Sequence, residues 1–235
     1  LSVATGDLHI CFSPAQWRRI EAVQLEESAC VVIDVIRATS TIAVALAQGA
    51  EGVQPVASVP DAFALKALNP DALLAGERKG QALPGFDLGN SPEDFTSERV
   101  RGRRILLTTT NGTQALAACL GARTVMTASF LNLNAVADRL LTVGPPWLIV
   151  CAGCNGEFGV DDAIVAGALA EALDCPHALV SLYRSTRSEL TDALLHSEAG
   201  RELIKVGLEK DVPFCAQMNV FPVVPTLGED GVLRA

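Results

Sequence analysis

The chain has 235 residues, of which 49% are apolar and only 5% aromatic, and its formal net charge at neutral pH is −9. That length buries a substantial core, and with few aromatics the core must come from Ala, Val, Leu and Ile, which favours helices packed on parallel strands over an all-β sandwich. The acidic balance excludes nucleic acid as a general partner, because a phosphate backbone demands a basic face, and any anionic ligand must be drawn in by a local positive site.

Residues 8–12 read as a short strand, and Ser13-Pro14 opens a helix over 15–23 with proline at its first position. Val31-Val32-Ile33 then runs into Asp34-Val35-Ile36-Arg37-Ala38-Thr39-Ser40, and residues 41–48 predict a helix ended by Gly49. A buried strand that hands a carboxylate to a loop opening a helix is a common active-site frame. The strand fixes the carboxylate, and the helix N-terminus offers unpaired N–H groups to an anion. A core strand followed by a solvated Asp-x-x-Arg pair would read the same way.

Residues 52–56 form the next strand, and Ser58-Val59-Pro60-Asp61 leads a helix through Leu68 that Asn69-Pro70 breaks. Leu73-Leu74-Ala75 is a short strand entering Gly76-Glu77-Arg78-Lys79-Gly80, a charged loop bounded by glycines. Residues 83–92 hold too many turn formers for regular structure, and Ser91-Pro92 reads as the N-cap and first residue of a helix. A long loop inside a compact domain is usually functional or disordered, and Leu83, Phe86 and Leu88 argue for order.

Residues 104–107 are a buried strand ending in Thr108-Thr109-Thr110-Asn111-Gly112-Thr113, with a helix through Leu120 stopped by Gly121. A strand at 124–126, a helix at 133–141 and a strand at 147–151 follow. The last empties into Ala152-Gly153-Cys154-Asn155-Gly156-Glu157. Asp161 and Asp162 begin a helix over 163–173. Helices at 188–195 and 198–205 and an apolar tail with Val223-Val224-Pro225 complete the chain.

Shifting residues 41–53 by 72 positions sets Thr41, Ala43, Ala45, Gly49, Ala50 and Val53 on Thr113, Ala115, Ala117, Gly121, Ala122 and Val125. Each half reads strand, polar loop, helix, strand, helix, strand, polar loop. The expectation is one domain over 1–235 with pseudo-repeats at 28–100 and 101–175 and a C-terminal part at 176–235. The two halves would present their strand-end loops to a shared crevice.

Seven cysteines, an odd number, fall mostly inside apolar runs such as Ala29-Cys30-Val31, which reads as buried thiols in a reducing compartment. Cys151-Ala-Gly-Cys154 has no second pair or histidine at ligand spacing, so zinc or redox chemistry is not its expected role. No basic stretch leads into an apolar segment at the start, and no uninterrupted apolar run reaches membrane-spanning length. A cytoplasmic protein with no membrane partner is expected.

The polar loops hold carboxylates (Asp34, Glu77, Asp87, Glu157, Asp161, Asp162), guanidiniums (Arg37, Arg78) and small donors (Thr39, Ser40, Thr109, Thr110, Asn111, Asn155). Gly112, Gly153 and Gly156 let backbone N–H groups approach a ligand. Carboxylates suit a hard cation such as Mg²⁺, which takes one or two of them plus substrate phosphate. Arginines grip phosphate, carboxylate and sulfonate. The inventory suits phosphoryl transfer. It suits hydride transfer poorly, since no G-x-G-x-x-G follows a strand, and serine hydrolysis poorly, since G-x-S-x-G is absent and His9, His177 and His196 fall outside the polar loops. Plainer roles stay open: Thr39 or Ser40 as a helix cap, Asp161 and Asp162 as partners of the helix dipole, Asp87 as a turn residue, Glu77 and Arg78 as a solvated pair.

Ile33-Asp34-Val-Ile-Arg37-Ala38-Thr39-Ser40, Gly76-Glu77-Arg78, the run from Pro84 to Pro92, Thr109-Thr110-Asn111-Gly112-Thr113 and Cys151-Ala152-Gly153-x-Asn155-Gly156 together resemble the 2-phosphosulfolactate phosphatase family in order and spacing. The likeness continues to Asp211-Val-Pro-Phe-Cys215 and Val223-Val224-Pro225. Membership implies a three-layer α/β/α fold with a largely parallel sheet. It also implies Mg²⁺-dependent hydrolysis of the phosphate ester of a 2-hydroxy-3-sulfo acid, giving 3-sulfolactate and phosphate, a step towards coenzyme M in methanogens. Joined to the loop chemistry, the resemblance puts Asp34, Arg37, Glu77 and Asn111 in catalysis. Thr39, Ser40, Arg78, Thr110, Gly112, Asn155 and Gly156 would bind substrate, and Asp34, Asp87 and Asp161 would hold the metal, with Glu77 as a further candidate ligand. Arg78 or Lys79 would meet the substrate's carboxylate or sulfonate. Ile36 stands where a D-x-D phosphatase has its second aspartate, which favours attack by a metal-activated water over an acyl phosphate on Asp34. Cys154 departs from the small hydroxyl residue expected there, and sulfur is the weaker donor. The same chemistry on other 2-hydroxy acid phosphates, a non-catalytic anion-binding protein, and a homo-oligomer all remain compatible with these residues.

Overall fold

The computed structural model describes residues 8–235. Among them the strands are β1 (Leu8–Cys11), β2 (Ala29–Ile33), β3 (Gly52–Pro55), β4 (Leu73–Arg78), β5 (Gln81–Ala82), β6 (Arg104–Thr108), β7 (Thr124–Ala128), β8 (Trp147–Cys151), β9 (Thr226–Leu227) and β10 (Leu233–Arg234). They join in the order β1-β8-β2-β7-β9-β10-β3-β6-β4-β5. The helices are α1 (Pro14–Trp17), α2 (Ala22–Glu27), α3 (Ala38–Ala47), α4 (Val59–Leu68), α5 (Ser97–Val100), α6 (Gly112–Ala118), α7 (Leu133–Val143), α8 (Val160–Ala172), α9 (Ala178–Thr186), α10 (Leu190–Leu195), α11 (Glu198–Lys205) and α12 (Asp211–Cys215).

Strand β2 shows why the sheet is covered on both faces. All five of its residues are buried, so its apolar run is continuous, as expected for a central parallel strand. Side chains alternate between faces: Val31 and Ile33 pack with residues of α7 and α8, while Cys30 and Val32 pack with Ile42 of α3 and Leu116 of α6. Ile105 and Leu107 of β6 join that second core, and Leu106 turns to a smaller one under α4. The result is the three-layer α/β/α arrangement.

Two parallel sets make up most of the sheet, β1-β8-β2-β7 and β3-β6-β4. The segment read as an apolar tail joins them. Its hairpin β9-β10 pairs antiparallel with β7 through Thr226 and with β3 through Leu233. Strands of two residues carry no periodicity of their own, so only their partners define them. The triplets β8-β2-β7 and β4-β6-β3 place corresponding strands of the two sequence segments at corresponding positions on either side of this hairpin.

Three local differences from the sequence reading matter. The single helix expected over 15–23 is two, α1 and α2, with buried Trp17 at the break donating its indole N–H to the Cys151 carbonyl at 3.1 Å; that tertiary anchor outweighs local propensity. Helix α9 was absent from the sequence reading and lies along α8, where Leu179, Val180, Leu182 and Tyr183 reach the core. The charged loop at 76–80 is largely strand. Gly76, Glu77 and Arg78 extend β4, and only Lys79 and Gly80 turn the chain into β5.

Candidate active site

A cleft of about 300 Å³ opens where the segments after β2, β4, β6 and β8 meet α11. Asp34 stands at its head, one residue past β2, and is 7% exposed. The following turn is closed by its own side chains. Thr39 Oγ1 donates to the Asp34 carbonyl at 3.0 Å and accepts from the Asp34 N–H, and Ser40 Oγ donates to the Val35 carbonyl at 2.8 Å. Both hydroxyls are buried in that task and lie away from the cleft, so they close the turn rather than cap α3, whose N-cap Arg37 makes no side-chain cap bond, and they do not face a substrate. Asp34 Oδ1 accepts a long bond from the Ala38 N–H at 3.3 Å. The N–H of Gly112 also points at this carboxylate. A Cβ at position 112 would come within 2.7 Å of Asp34 Oδ2, so glycine here permits the approach of α6.

Glu77 is a strut. Its Oε1 accepts from the N–H and hydroxyl of Thr110 at 2.8 and 2.9 Å, and its Oε2 accepts from the Gly80 N–H at 2.8 Å. It lines the cleft, yet both oxygens already tie the β4–β5 turn to the loop after β6, which leaves it poorly suited to a metal. Arg78 donates to the Glu77 carbonyl and to Thr108 Oγ1 and does not line the cleft. Asn111 and Asn155 do line it, Asn155 donating to Glu198 Oε1 at 3.1 Å. Gly156 instead borders a smaller neighbouring cavity that shares Thr110, Asn111 and Asn155.

Arg37 enters the cleft with three of its five N–H donors committed: to Asp211 Oδ2 at 2.6 Å, to Ser91 Oγ at 3.1 Å and to the Gly80 carbonyl at 2.6 Å. Ser91 in turn donates to Asp211 Oδ2 at 2.7 Å, so it does not cap the short 3-10 helix Pro92–Asp94 as the sequence suggested. Asp211 is fully buried, and its Oδ1 has no partner among the described residues. Neither Asp211 nor Asn90 had an assigned role before. Asn90 lines the cleft, and its buried side-chain Oδ1 has no partner among the described residues. Both residues lie in stretches that carry the family resemblance, which was the only available signal.

Asp87 does not join this group. Its carboxylate accepts from the Leu74 N–H at 2.8 Å and lies 3.9 Å from Lys66 Nζ, half exposed and away from the cleft. The turn reading of Asp87 replaces the metal reading, because the loop over 83–92 folds back on β4 through the Ala75–Leu88 bridge and carries Asp87 with it. Asp161 and Asp162, in the first turn of α8, are both buried. Asp162 straps the site from behind, accepting from the N–H groups of Val35 at 3.0 Å and Gly153 at 2.9 Å. Asp161 does not line the cleft but stands close enough for its charge to act on Asp34.

Burial pushes the Asp34 carboxyl up to about 7, and the charges of Glu77 and Asp161 add to the rise against the N–H groups of Ala38 and Gly112. Burial likewise raises Asp161 to about 6 and Asp162 well above the usual carboxylate range. Asp34 and Asn90 both line the cleft, and carboxylate and amide oxygens are the donors that a hard divalent cation takes. No three His, Cys, Asp or Glu side chains gather as a ready cage among the described residues. Mg²⁺ needs none, since one or two carboxylates suffice when phosphate and water complete its shell. The residues therefore fit the ion.

The raised values have a testable sign. Between the unfolded value near 3.8 and about 7 the folded chain keeps a proton on Asp34 that the unfolded chain has lost, so stability from this group falls as pH rises through that window. In EDTA, the melting temperature of an Asp34→Asn variant is expected to climb relative to wild type from pH 4 to pH 7. A constant difference across that range would contradict the burial argument.

The family model described as 2-phosphosulpholactate phosphatase matches residues 16–230. A protein of Symbiobacterium thermophilum described as "Probable 2-phosphosulfolactate phosphatase" is 40% identical over 224 residues, covering 90% of this chain and 96% of its own. Proteins with the same description from Thermotoga petrophila and Synechococcus sp. (strain CC9605) are 43% and 44% identical over 203 and 228 residues. They cover 84% and 90% of this chain and 88% and 93% of their own. A match across nearly the whole chain, with the motif residues Asp34, Arg37, Glu77, Asn111 and Asn155 brought to one cleft, places this chain in the 2-phosphosulfolactate phosphatase family.

Proposed function

We propose that the protein is a Mg²⁺-dependent phosphatase that hydrolyses 2-phospho-3-sulfolactate to 3-sulfolactate and phosphate. The observation that carries this reading is the convergence of Asp34, Arg37, Thr110 and Asn111 on one cleft of about 300 Å³, the size of a small multiply charged ester. Asp34 would hold the cation, with Asp161 behind it adding negative charge. When bound, Mg²⁺ supplies charge neutralisation and acidifies a water molecule. Arg37 directs its two uncommitted N–H donors at phosphoryl oxygens, and Asn111, whose amide is unbonded among the described residues, donates to the same group. Glu77 keeps Thr110 and the β4–β5 turn in register, so the donors are in place before substrate arrives. Water attacks phosphorus, the P–O bond to C2 breaks, and the leaving alkoxide takes the proton that water gives up.

No helix among the described residues is long and apolar enough to cross a membrane, and all seven cysteines are free thiols. Both support a cytoplasmic setting. The test is phosphate release from 2-phospho-3-sulfolactate with MgCl₂ and with EDTA. Equimolar phosphate and 3-sulfolactate are expected with the metal alone. Tight ester binding without any release would make the protein an anion binder, and faster release from other 2-hydroxy acid phosphates would move the substrate.

A further inference from the structure

Among the described residues two cations line the cleft, Arg37 and Lys79. Arg37 is neutralised by Asp211 at 2.6 Å and largely occupied by protein acceptors. Arg78, the other candidate for a distal anion, is turned towards Glu77 and Thr108. The ammonium of Lys79 makes no ion pair or hydrogen bond among the described residues. Glu202, the acidic lining residue of α11, is paired with Lys205 at 2.6 Å.

The backbone at Lys79 carries an independent signal. Lys79 and Gly80 are the two central residues of the β4–β5 turn, with Arg78 paired to Gln81, and their φ values are +53 and +77. Positive φ at both positions is the type I′ pattern, which Asn-Gly or Gly-Gly satisfies at least cost. A lysine in the left-handed region is disfavoured by its Cβ against that preference. Lys79 therefore stands on the cleft wall in a turn whose backbone does not favour it.

We propose that Lys79 is the specificity-determining residue of this cleft and binds the sulfonate of the substrate. The inference rests on the hydrolytic reading above. A 2-phospho-3-sulfo acid brings two anionic groups besides its phosphate. The planar fork of an arginine matches phosphate or carboxylate. With Arg37 assigned to the phosphate, the sulfonate, whose three equivalent oxygens match the three donors of a rotating ammonium, falls to Lys79.

The experiment compares kcat/KM for 2-phospho-3-sulfolactate and for 2-phospholactate, which lacks only the sulfonate, in wild type, Lys79→Asn and Lys79→Arg. Asparagine suits the turn, so Lys79→Asn is expected to keep the wild-type melting temperature or exceed it. Its preference for the sulfonate ester should fall about tenfold, chiefly through KM, as expected for loss of one charged hydrogen bond. Lys79→Arg should recover most of that preference. Calorimetric titration with 3-sulfolactate and with lactate makes the same comparison without turnover. An unchanged preference in Lys79→Asn, or equal losses on both esters, overturns the inference and leaves the hydrolytic reading standing. If neither ester is hydrolysed while Lys79→Asn still weakens 3-sulfolactate binding selectively, the hydrolytic reading fails and the sulfonate site stands.

Discussion

Asp34→Asn is expected to lower kcat by about a thousandfold or more, the scale at which removal of one preorganised charge group registers in phosphoryl and acyl transfer. The reasoning starts from position. Asp34 is the carboxylate delivered to the cleft by β2, and the Ala38 and Gly112 N–H groups hold it in place. Asparagine keeps the size and one acceptor oxygen, so the turn closed by Thr39 and Ser40 has no reason to rearrange. The charge is what disappears. Burial pushes that carboxyl up to about 7, so ionising it near neutral pH works against the folded state, and the variant should be at least as stable as wild type in EDTA. Loss of turnover with retained or raised melting temperature separates a chemical role from a structural one. A kcat within about tenfold of wild type would remove Asp34 from the reaction.

Breaking the Arg37–Asp211 pair should have the largest effect on stability. Both side chains are essentially excluded from solvent and meet at 2.6 Å. Asp211→Ala would strand a buried guanidinium, a change that costs about 3–5 kcal/mol. For a chain of this size that is a fall in melting temperature of about 10 °C, readable by thermal or urea denaturation. Activity should fall as well, because Arg37 would lose the partner that aims it and Ser91 would lose its acceptor. Replacing both partners with apolar residues of similar volume, as in Arg37→Met with Asp211→Leu, is expected to restore much of the stability and none of the turnover. A melting temperature within 2 °C of wild type for Asp211→Ala would show that the pair is dispensable.

The position of Asp211 also shows where reading the chain reached its end. Arg37 and Asp211 are 174 residues apart, and no local pattern links a residue after β2 to the first turn of a five-residue helix near the end of the chain. The same holds for Asn90, whose orphaned oxygen is visible only once the loop over 83–92 has folded back on β4. Asp87, by contrast, looked like a ligand because it shares that loop with Asn90 and Ser91, and the fold points it to the Leu74 N–H instead.

What the amino-acid order determined by itself is the set of parallel strands and the loops that leave them. Buried β-branched runs such as Val31-Val32-Ile33 and helix-breaking glycines such as Gly49 and Gly121 are short-range signals, so the strand ends bearing Asp34, Thr110, Asn111 and Asn155 could be placed from local physics. Tertiary structure alone decided which of the polar residues face one another. The closing hairpin β9-β10, the division of labour between Glu77 as strut and Asp34 as cleft carboxylate, and the occupation of Arg37 and Arg78 by protein acceptors all depend on partners far away in the chain. A side chain's chemistry is local, but whether its donors remain free for a ligand depends on every group that packs against it.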